Sequence, residues 1–165
     1  FSCNERGDMS APVRTRRLQS LPDSRPRFVD DYLLYLLGRA SMQASAQFHA
    51  IVKGRGISVL EWRVLGLLSS GPETVSTLAE MALSQQPTVT KVLDRMVKDG
   101  MVTRLEDSAD RRRTYVRLTE KGHALAAELV PMAQEHEALV LAGYAPREAA
   151  ALKRALKTLI ARTRQ

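Results

Sequence analysis

Residues 77–122 read "TLAEMALSQQPTVTKVLDRMVKDGMVTRLEDSADRRRTYVRLTEKG", and this stretch decides the fold. Its first part belongs to the segment "TVSTLAEMAL", residues 74–83, where Leu78 and Ala82 recur at helical spacing and predict a first helix. The segment "SQQPTVTKVLDRMVKDG" predicts a second helix, with Ser84 as the expected N-cap and Pro87 in the first turn. Only about "LSQ" separates the two helices, so the sequence predicts a helix-turn-helix with a tight turn.

The first turn of the second helix carries residue types that suit DNA. In a helix-turn-helix this turn enters the major groove while the preceding helix braces it. Glutamine amides donate to and accept from base edges, threonines offer hydroxyl and methyl groups, and a lysine one turn later can reach a phosphate or a guanine. The predicted DNA-contacting residues of this helix are Gln85, Gln86, Pro87, Thr88, Thr90 and Lys91.

Two strand candidates follow, "MVTRLE" and "TYVRL", joined by the polar link "DSADRRR". Three adjacent guanidinium groups repel one another unless an anion lies close, and a minor groove beside a recognition helix attracts inserted arginine. We therefore predict that Arg111, Arg112 and Arg113 contact DNA from the tip of a hairpin wing. Asp107 and Asp110 flank these arginines and are expected to orient one of them through paired hydrogen bonds. The alternative is a solvated charged turn.

Helical patterns lie on both sides of this motif. An apolar stripe runs through residues 28–53, and a capping box of Ser58 and Glu61 predicts the start of the next helix. Thr119 is the expected cap of a long helix that Pro131 kinks or locally loosens, and a final helical repeat runs to the C-terminus. The predicted fold is mainly α with a small β-hairpin wing: a winged helix-turn-helix at about 58–118, flanked by helices at about 28–53 and 119–163.

Composition indicates a basic protein with an anionic partner. The 165 residues carry 25 Lys plus Arg against 18 Asp plus Glu, a formal charge of +7. Residues 1–27 are arginine-rich and lack apolar periodicity, which predicts a flexible basic arm. We expect Met9 to be the natural start and residues 1–8 to be an extension, which leaves Cys3 without a role. A single cysteine, no signal-peptide core and no apolar run near ~20 residues favour the cytoplasm.

These motifs resemble the multiple-antibiotic-resistance regulator (MarR) family of bacterial winged-helix repressors. The resemblance covers residues 29–162 and is carried by "EWRVLGLL", by the helix-turn-helix and by "DSADRRRTYVRLTEKG", which is close to the family's wing pattern. It implies a homodimer in which the first and last two helices interleave, while two winged modules read a pseudo-palindromic operator at the nucleoid. It also implies a recognition helix from Ser84 to Lys98 and a wing arginine that is either Arg111 or Arg112.

The resemblance further implies release from DNA by a small aromatic acid or phenol bound between the first, second and fifth helices near the dimer interface. The branch that controls catabolism of aromatic or heteroaromatic acids, such as hydroxynicotinate, is the most similar. Aromatic rings with one or two cations suit a flat carboxylate. The candidates are Tyr32, Tyr35, Arg39, Met42 and His49 on one stripe of the first helix, and Trp62 and Arg63 on the second. Core packing and salt bridges are the other interpretation of these residues.

Two other classes of function are alternatives to DNA binding: an enzyme and a protein-binding module. An enzyme is disfavoured because His49, His123 and His136 are far apart in sequence, and no metal-ligand spacing, nucleophile motif or phosphate loop occurs. His123 and His136 on the fifth helix are expected to be solvated rather than to hold a metal, and no cofactor is predicted. A winged-helix module that binds only proteins is the second alternative, and the wing arginines distinguish it because their loss would then leave DNA affinity unchanged.

Overall fold

The computed structural model describes residues 27–106 and 114–163. A short 3-10 turn at Phe28–Asp30 precedes the main elements, which follow in chain order. These are α1 (Leu33–Gly54), α2 (Val59–Leu68), β1 (Glu73–Thr74), α3 (Val75–Met81), α4 (Gln86–Lys98), β2 (Val102–Glu106), β3 (Thr114–Leu118), α5 (Glu120–Val140) and α6 (Pro146–Thr163). The predicted fold class, mainly α with a small β wing, is confirmed.

The chain divides between Gly38 and Arg39 into two units. In the first, Arg27 pairs with Asp30 at 2.9 Å, and the rings of Phe28 and Tyr32 stack with centroids 4.8 Å apart. Within residues 27–38, the described part of this unit, most apolar side chains are exposed, and the exposed fraction of Phe28 is 76%. No helix in the described ranges combines the length and the apolar character that a membrane crossing requires.

The second unit contains the hydrophobic core, which the C-terminal part of α1, α2, α3, α4, the sheet and α5 share. The predicted inward positions of α3 are buried, with Leu78 and Ala82 fully so. On α4 the residues Val89, Leu93 and Met96 are completely buried, one to each turn of the helix. Other members of this core are Val64, Leu65, Leu68, Val116 and Leu129. Burying one face of α4 leaves the opposite face of this helix on the surface.

The sheet has three antiparallel strands in the order β1-β3-β2. The predicted hairpin is β2 and β3, whose register runs from Val102 opposite Leu118 to Glu106 opposite Thr114. The sequence did not predict β1, which has two residues and pairs with β3 through Glu73 opposite Val116. This short strand fixes the base of the wing to the segment that enters α3.

Helix termini agree with the sequence prediction at α2 and α5. At α2 the Ser58 hydroxyl accepts from the Glu61 N–H at 3.2 Å, and the Glu61 carboxylate accepts from the Ser58 N–H at 2.7 Å. Thr119 caps α5 through the Gly122 N–H, and α5 continues through Pro131 as one helix. The prediction that Ser84 caps the recognition helix was wrong: the N-cap of α4 is Gln85, whose side chain makes no capping hydrogen bond.

Candidate nucleic-acid interface and effector cavity

The turn between α3 and α4 is closed by two backbone hydrogen bonds. The Leu83 N–H donates to the Glu80 carbonyl at 3.1 Å, and the Ser84 N–H donates to the Ala79 carbonyl at 3.0 Å. This pair is the Schellman pattern, which places one residue in the left-handed region and usually selects glycine there. Here that residue is Leu83, with φ of 55° and 82% of its surface exposed. The first hydrogen bond of α4 runs from the Val89 N–H to the Gln85 carbonyl at 3.1 Å, so the N-cap is Gln85, one residue after Ser84.

The first turn of α4 presents its polar side chains to solvent. Gln85, Gln86, Thr88 and Lys91 are exposed, as is Pro87, and Thr90 is half-buried. The Thr90 hydroxyl donates to the Gln86 carbonyl at 2.9 Å, so its donor is used within the helix while its methyl group stays available. Because no side chain caps this N-terminus, the positive end of the helix dipole is also open to an anion such as a phosphate.

A buried carboxylate fixes α4 against α2. Glu61 is 5% exposed, and its Oε1 accepts from Arg95 Nη2 at 2.8 Å and from Arg95 Nε at 3.1 Å. Burial acts to raise the pKa of Glu61, but the hydrogen bonds from Ser58 and Arg95 outweigh it, so that the pKa lies below its usual 4.5. One carboxylate therefore starts α2 and anchors the last turn of α4.

The C-terminal half of α4 is also tied to the wing. Asp94 on α4 pairs with Arg104 on β2 at 2.7 Å. The Lys121 ammonium donates to the Asp99 carbonyl at 2.8 Å, and the Thr119 hydroxyl donates to the Gly100 carbonyl at 2.6 Å. These contacts hold α4, β2 and the start of α5 in one arrangement, so the exposed turn of α4 has a fixed direction relative to the strands.

The predicted wing-tip residues lie outside the described part of the chain. They are Arg111, Arg112 and Arg113, with Asp107 and Asp110 beside them. The strands that carry this tip are described, and their last register pair is Glu106 with Thr114. On β3 the side chain of Arg117 is exposed, a further cation of the wing to which the sequence analysis gave no role.

A cavity of about 380 Å³ lies between α1, α2, α5 and α6. Its aromatic wall is formed by Phe48 and Trp62, whose rings meet edge to face with centroids 5.0 Å apart. His49 and His136 line it as well, together with the ion pair of Glu137 and Lys153. The remaining lining residues are small or aliphatic: Ser41, Ala44, Ser45, Ala133, Val140, Leu141, Leu152 and Leu156.

The two cavity histidines differ in environment. Burial, and then the positive charges of Arg63 and Lys53, lower the pKa of His49 below its usual 6.5. His136 Nε2 is buried, and within the described residues no group hydrogen-bonds to it. The expectation that His136 is solvated was therefore wrong, whereas His123 is exposed as expected. An acceptor or donor on a bound molecule would satisfy His136 Nε2.

The structure brings together some of the predicted effector residues and not others. His49 and Trp62 line the cavity, while Arg39, Met42 and Arg63 are absent from its described lining. Arg63 instead donates from Nη1 to the Ala82 carbonyl at 2.9 Å. Tyr35 and Tyr32 belong to the first unit, where they are 39% and 40% exposed. Lys153 and Glu137 were not predicted as cavity residues, because their ion pair depends on how α5 and α6 pack.

The geometry defines a winged helix-turn-helix protein: a short helix, a tight turn, a second helix with a polar exposed start, and a small antiparallel sheet. A family model described as MarR family matches residues 55–113. The solved structure of a MarR family transcriptional regulator from Silicibacter pomeroyi DSS-3 is 42% identical, with a TM-score of 0.74, and the match covers 82% of this chain and 97% of that one. The chain belongs to the MarR family of transcriptional regulators.

Two further relatives bear on function. The homoprotocatechuate degradative operon repressor of Escherichia coli is 35% identical over 96 residues, 58% of this chain. The chain spans just under two thirds of that repressor, 65% of its length. The crystal structure of NadR in complex with 4-hydroxyphenylacetate is 27% identical with a TM-score of 0.73, covering 84% of this chain and 97% of that one.

Proposed function

We propose that this protein is a sequence-specific DNA-binding repressor that acts as a homodimer on a pseudo-palindromic operator and is released by a small aromatic acid. The observation that carries the proposal is the exposed first turn of α4, which presents Gln85, Gln86, Thr88 and Lys91 while buried contacts fix the rest of the helix. Side chains without structural partners on a rigid helix are the arrangement that base reading needs. The protein would act in the cytoplasm, without a catalytic reaction, a cofactor or a membrane partner.

The roles of the segments are part of the same proposal. We assign DNA reading to about 58–118, with the wing arginines Arg111–Arg113 over the minor groove. We assign dimerisation to the flanking helices at about 28–53 and 119–163. Support comes from the apolar side chains that α5 and α6 leave exposed, since Leu139 is 75% and Ile160 is 60% exposed. A second copy that covers these surfaces would remove apolar area from water.

The aromatic acid is assigned to the cavity between α1, α2, α5 and α6. The edge-to-face rings of Phe48 and Trp62 suit a flat apolar body. Its polar groups are suited by Lys153 and by His136 Nε2, which has no hydrogen-bond partner in the described part of the chain. The relationship to NadR, which was crystallised with 4-hydroxyphenylacetate, supports the same class of ligand.

The decisive experiment compares two lysines on α4. DNA binding to the promoter of the protein's own gene would be measured across a salt series for the wild type, Lys91→Ala and Lys98→Ala. Lys91 lies in the reading half of α4 and Lys98 in its last turn, and both are exposed. We expect Lys91→Ala to lower the salt slope by about 1 and to weaken binding, while Lys98→Ala leaves both unchanged.

Specificity is tested by Gln86→Ala, which should reduce discrimination between the operator and point-mutated operators by about 1–3 kcal/mol at one base pair. Equal salt slopes for the two lysine variants, or no DNA binding by the wild type, would contradict the DNA-reading assignment. The second outcome would favour a winged-helix module for protein contact. The effector assignment fails separately if a panel of aromatic acids neither raises the melting temperature nor releases DNA.

A further inference from the structure

Three consecutive residues of α2 connect the cavity to the DNA-reading elements. Trp62 lines the cavity, and its neighbours on either side contact the helix-turn-helix. Glu61 holds Arg95 in the last turn of α4, and Arg63 donates to the carbonyl of Ala82 at the end of α3. Successive residues of an α-helix project about 100° apart, so Trp62 points between the two contacts and one small movement of α2 alters both.

The two contacts are unequal in strength. The Glu61 carboxylate is buried and takes hydrogen bonds from Arg95 and from the Ser58 N–H, so it is held from two sides. Arg63 is half-buried and, among the residues that the structure describes, has one hydrogen bond, to Ala82. Arg63 also lies close enough to His49, on the cavity wall, that its charge acts on the imidazole. Arg63 therefore lies between the cavity and the turn, and its single hydrogen bond to the Ala82 carbonyl is the weaker of the two contacts.

We infer that Arg63 is a positioning residue that transmits occupancy of the cavity to the turn between α3 and α4 by keeping or releasing the Ala82 carbonyl. The inference rests on the proposed function, because it describes how the effector cavity and the DNA-reading helix of that function communicate. With the cavity empty, Arg63 holds the turn at Ala82, and α4 has its DNA-reading direction. A molecule against Trp62 and His49 shifts α2, the hydrogen bond breaks, and the turn at Leu83 and Ser84 loosens.

The physical basis is a difference in contacts between two states. A bound molecule can change DNA affinity only if it interacts differently with the DNA-competent and DNA-incompetent arrangements. The hydrogen bond from Arg63 supplies that difference, because Ala82 is fully buried and its carbonyl loses a charged donor when the bond breaks. The adjacent turn is susceptible because Leu83 already adopts a left-handed conformation that is unfavourable for leucine.

The test occupies the cavity by mutation, so no ligand needs to be identified. Ala133→Leu adds volume from α5, and Ala44→Leu adds it from α1 as an independent variant. Each would be combined with Arg63→Gln. The readout is hydrogen exchange of the Leu83 and Ser84 amides, which donate the two hydrogen bonds that close the turn. DNA affinity of the same proteins for a promoter fragment is the second readout.

We expect each cavity-filling substitution to speed exchange at the turn, and to weaken DNA binding, by about fivefold or more in the wild-type background. In Arg63→Gln we expect fast exchange at the outset and less than about a twofold further change. The matched control is Arg55→Gln. Arg55 pairs with Glu128, and both residues are far along the chain from the turn. This variant should therefore show the full response to Ala133→Leu.

Two results would overturn the inference. One is that neither Ala133→Leu nor Ala44→Leu changes exchange at the turn. The other is that the change is the same size in the Arg63→Gln background. Failure of the proposed function gives a different signature, since a protein that never binds DNA still reports the exchange response of its turn.

Discussion

The substitution Gly122→Ala tests whether the contact between α5 and Met101, in the link between α4 and β2, is as close as the structure indicates. A Cβ at Gly122 would lie 2.1 Å from the Met101 carbonyl oxygen and 3.2 Å from Leu118 Cδ2. The obstacle is backbone on a segment that already donates and accepts hydrogen bonds, because the Met101 carbonyl accepts from the Thr119 N–H at 3.0 Å. To accept the methyl group, the start of α5 must retreat by about 1 Å.

The magnitude follows from three contributions. Overpacking of this kind costs about 1–3 kcal/mol. Retreat also strains the Thr119 cap, in which the hydroxyl receives the Gly122 N–H at 3.2 Å, and a lost cap costs about 1 kcal/mol. Replacing glycine by alanine inside a helix returns at most about 1 kcal/mol. We therefore expect the free energy of unfolding of Gly122→Ala to fall by about 2 kcal/mol.

Gly66→Ala is the matched control, because it makes the same chemical change inside α2. A Cβ at Gly66 would meet Trp62 Cη2 at 3.8 Å, an ordinary van der Waals distance. We expect this variant to be more stable than the wild type by about 0.5–1 kcal/mol. Both would be measured by urea unfolding at one fixed protein concentration, since association contributes to apparent stability. Equal or greater stability of Gly122→Ala would refute the close contact at Met101.

Glu61→Gln should lower the free energy of unfolding by about 1–3 kcal/mol at pH 7, because a buried carboxylate with charged and backbone donors is replaced by an amide. Folding lowers the pKa of Glu61, so the ionised carboxylate contributes to stability above the unfolded value of 4.5, and this contribution is lost as the pH falls through the folded value. The difference in unfolding free energy between the wild type and Glu61→Gln, measured by urea titration, should therefore disappear at low pH. A difference that is independent of pH would count against this interpretation. Leu83→Gly should stabilise the protein by about 0.5–1 kcal/mol by relieving the left-handed backbone, while Leu83→Val should destabilise it, and thermal unfolding distinguishes the two signs.

The elements that the sequence predicted well are those with strong local signals. The capping box of Ser58 and Glu61, the Thr119 cap and the paired strands β2 and β3 each depend on residues close together in the chain, and each is present. The missed strand β1 has two residues and no period of its own, so only its pairing with β3 defines it. The Ser84 cap was wrong because the Schellman turn extends to Ser84, and α4 starts only with the bond to the Gln85 carbonyl.

The candidate site was less predictable, because its contacts join distant parts of the chain. Residue type indicated an exposed polar start of α4, since the amide of Gln86 and the hydroxyl of Thr88 do not suit an apolar core. No pattern showed that Arg63 turns toward Ala82, or that His136 has a buried nitrogen, because both depend on packing between helices. Sequence spacing places residues on a helix face, but the neighbouring element decides what that face meets.

The residues of α4 that pack against the rest of the protein differ from those that it exposes, and this separation has a consequence for how the protein's DNA preference can change in evolution. Val89, Leu93, Met96 and the Asp94 and Arg95 pairs attach the helix to its surroundings, whereas Gln86, Thr88 and Lys91 hold no side-chain hydrogen bond to any other described residue. Under the proposed function, stability and base preference therefore reside in different side chains of one helix. Exchange of the second group should give proteins with new operator preferences and unchanged melting behaviour, so a single ancestral scaffold could supply many regulators by a handful of surface substitutions.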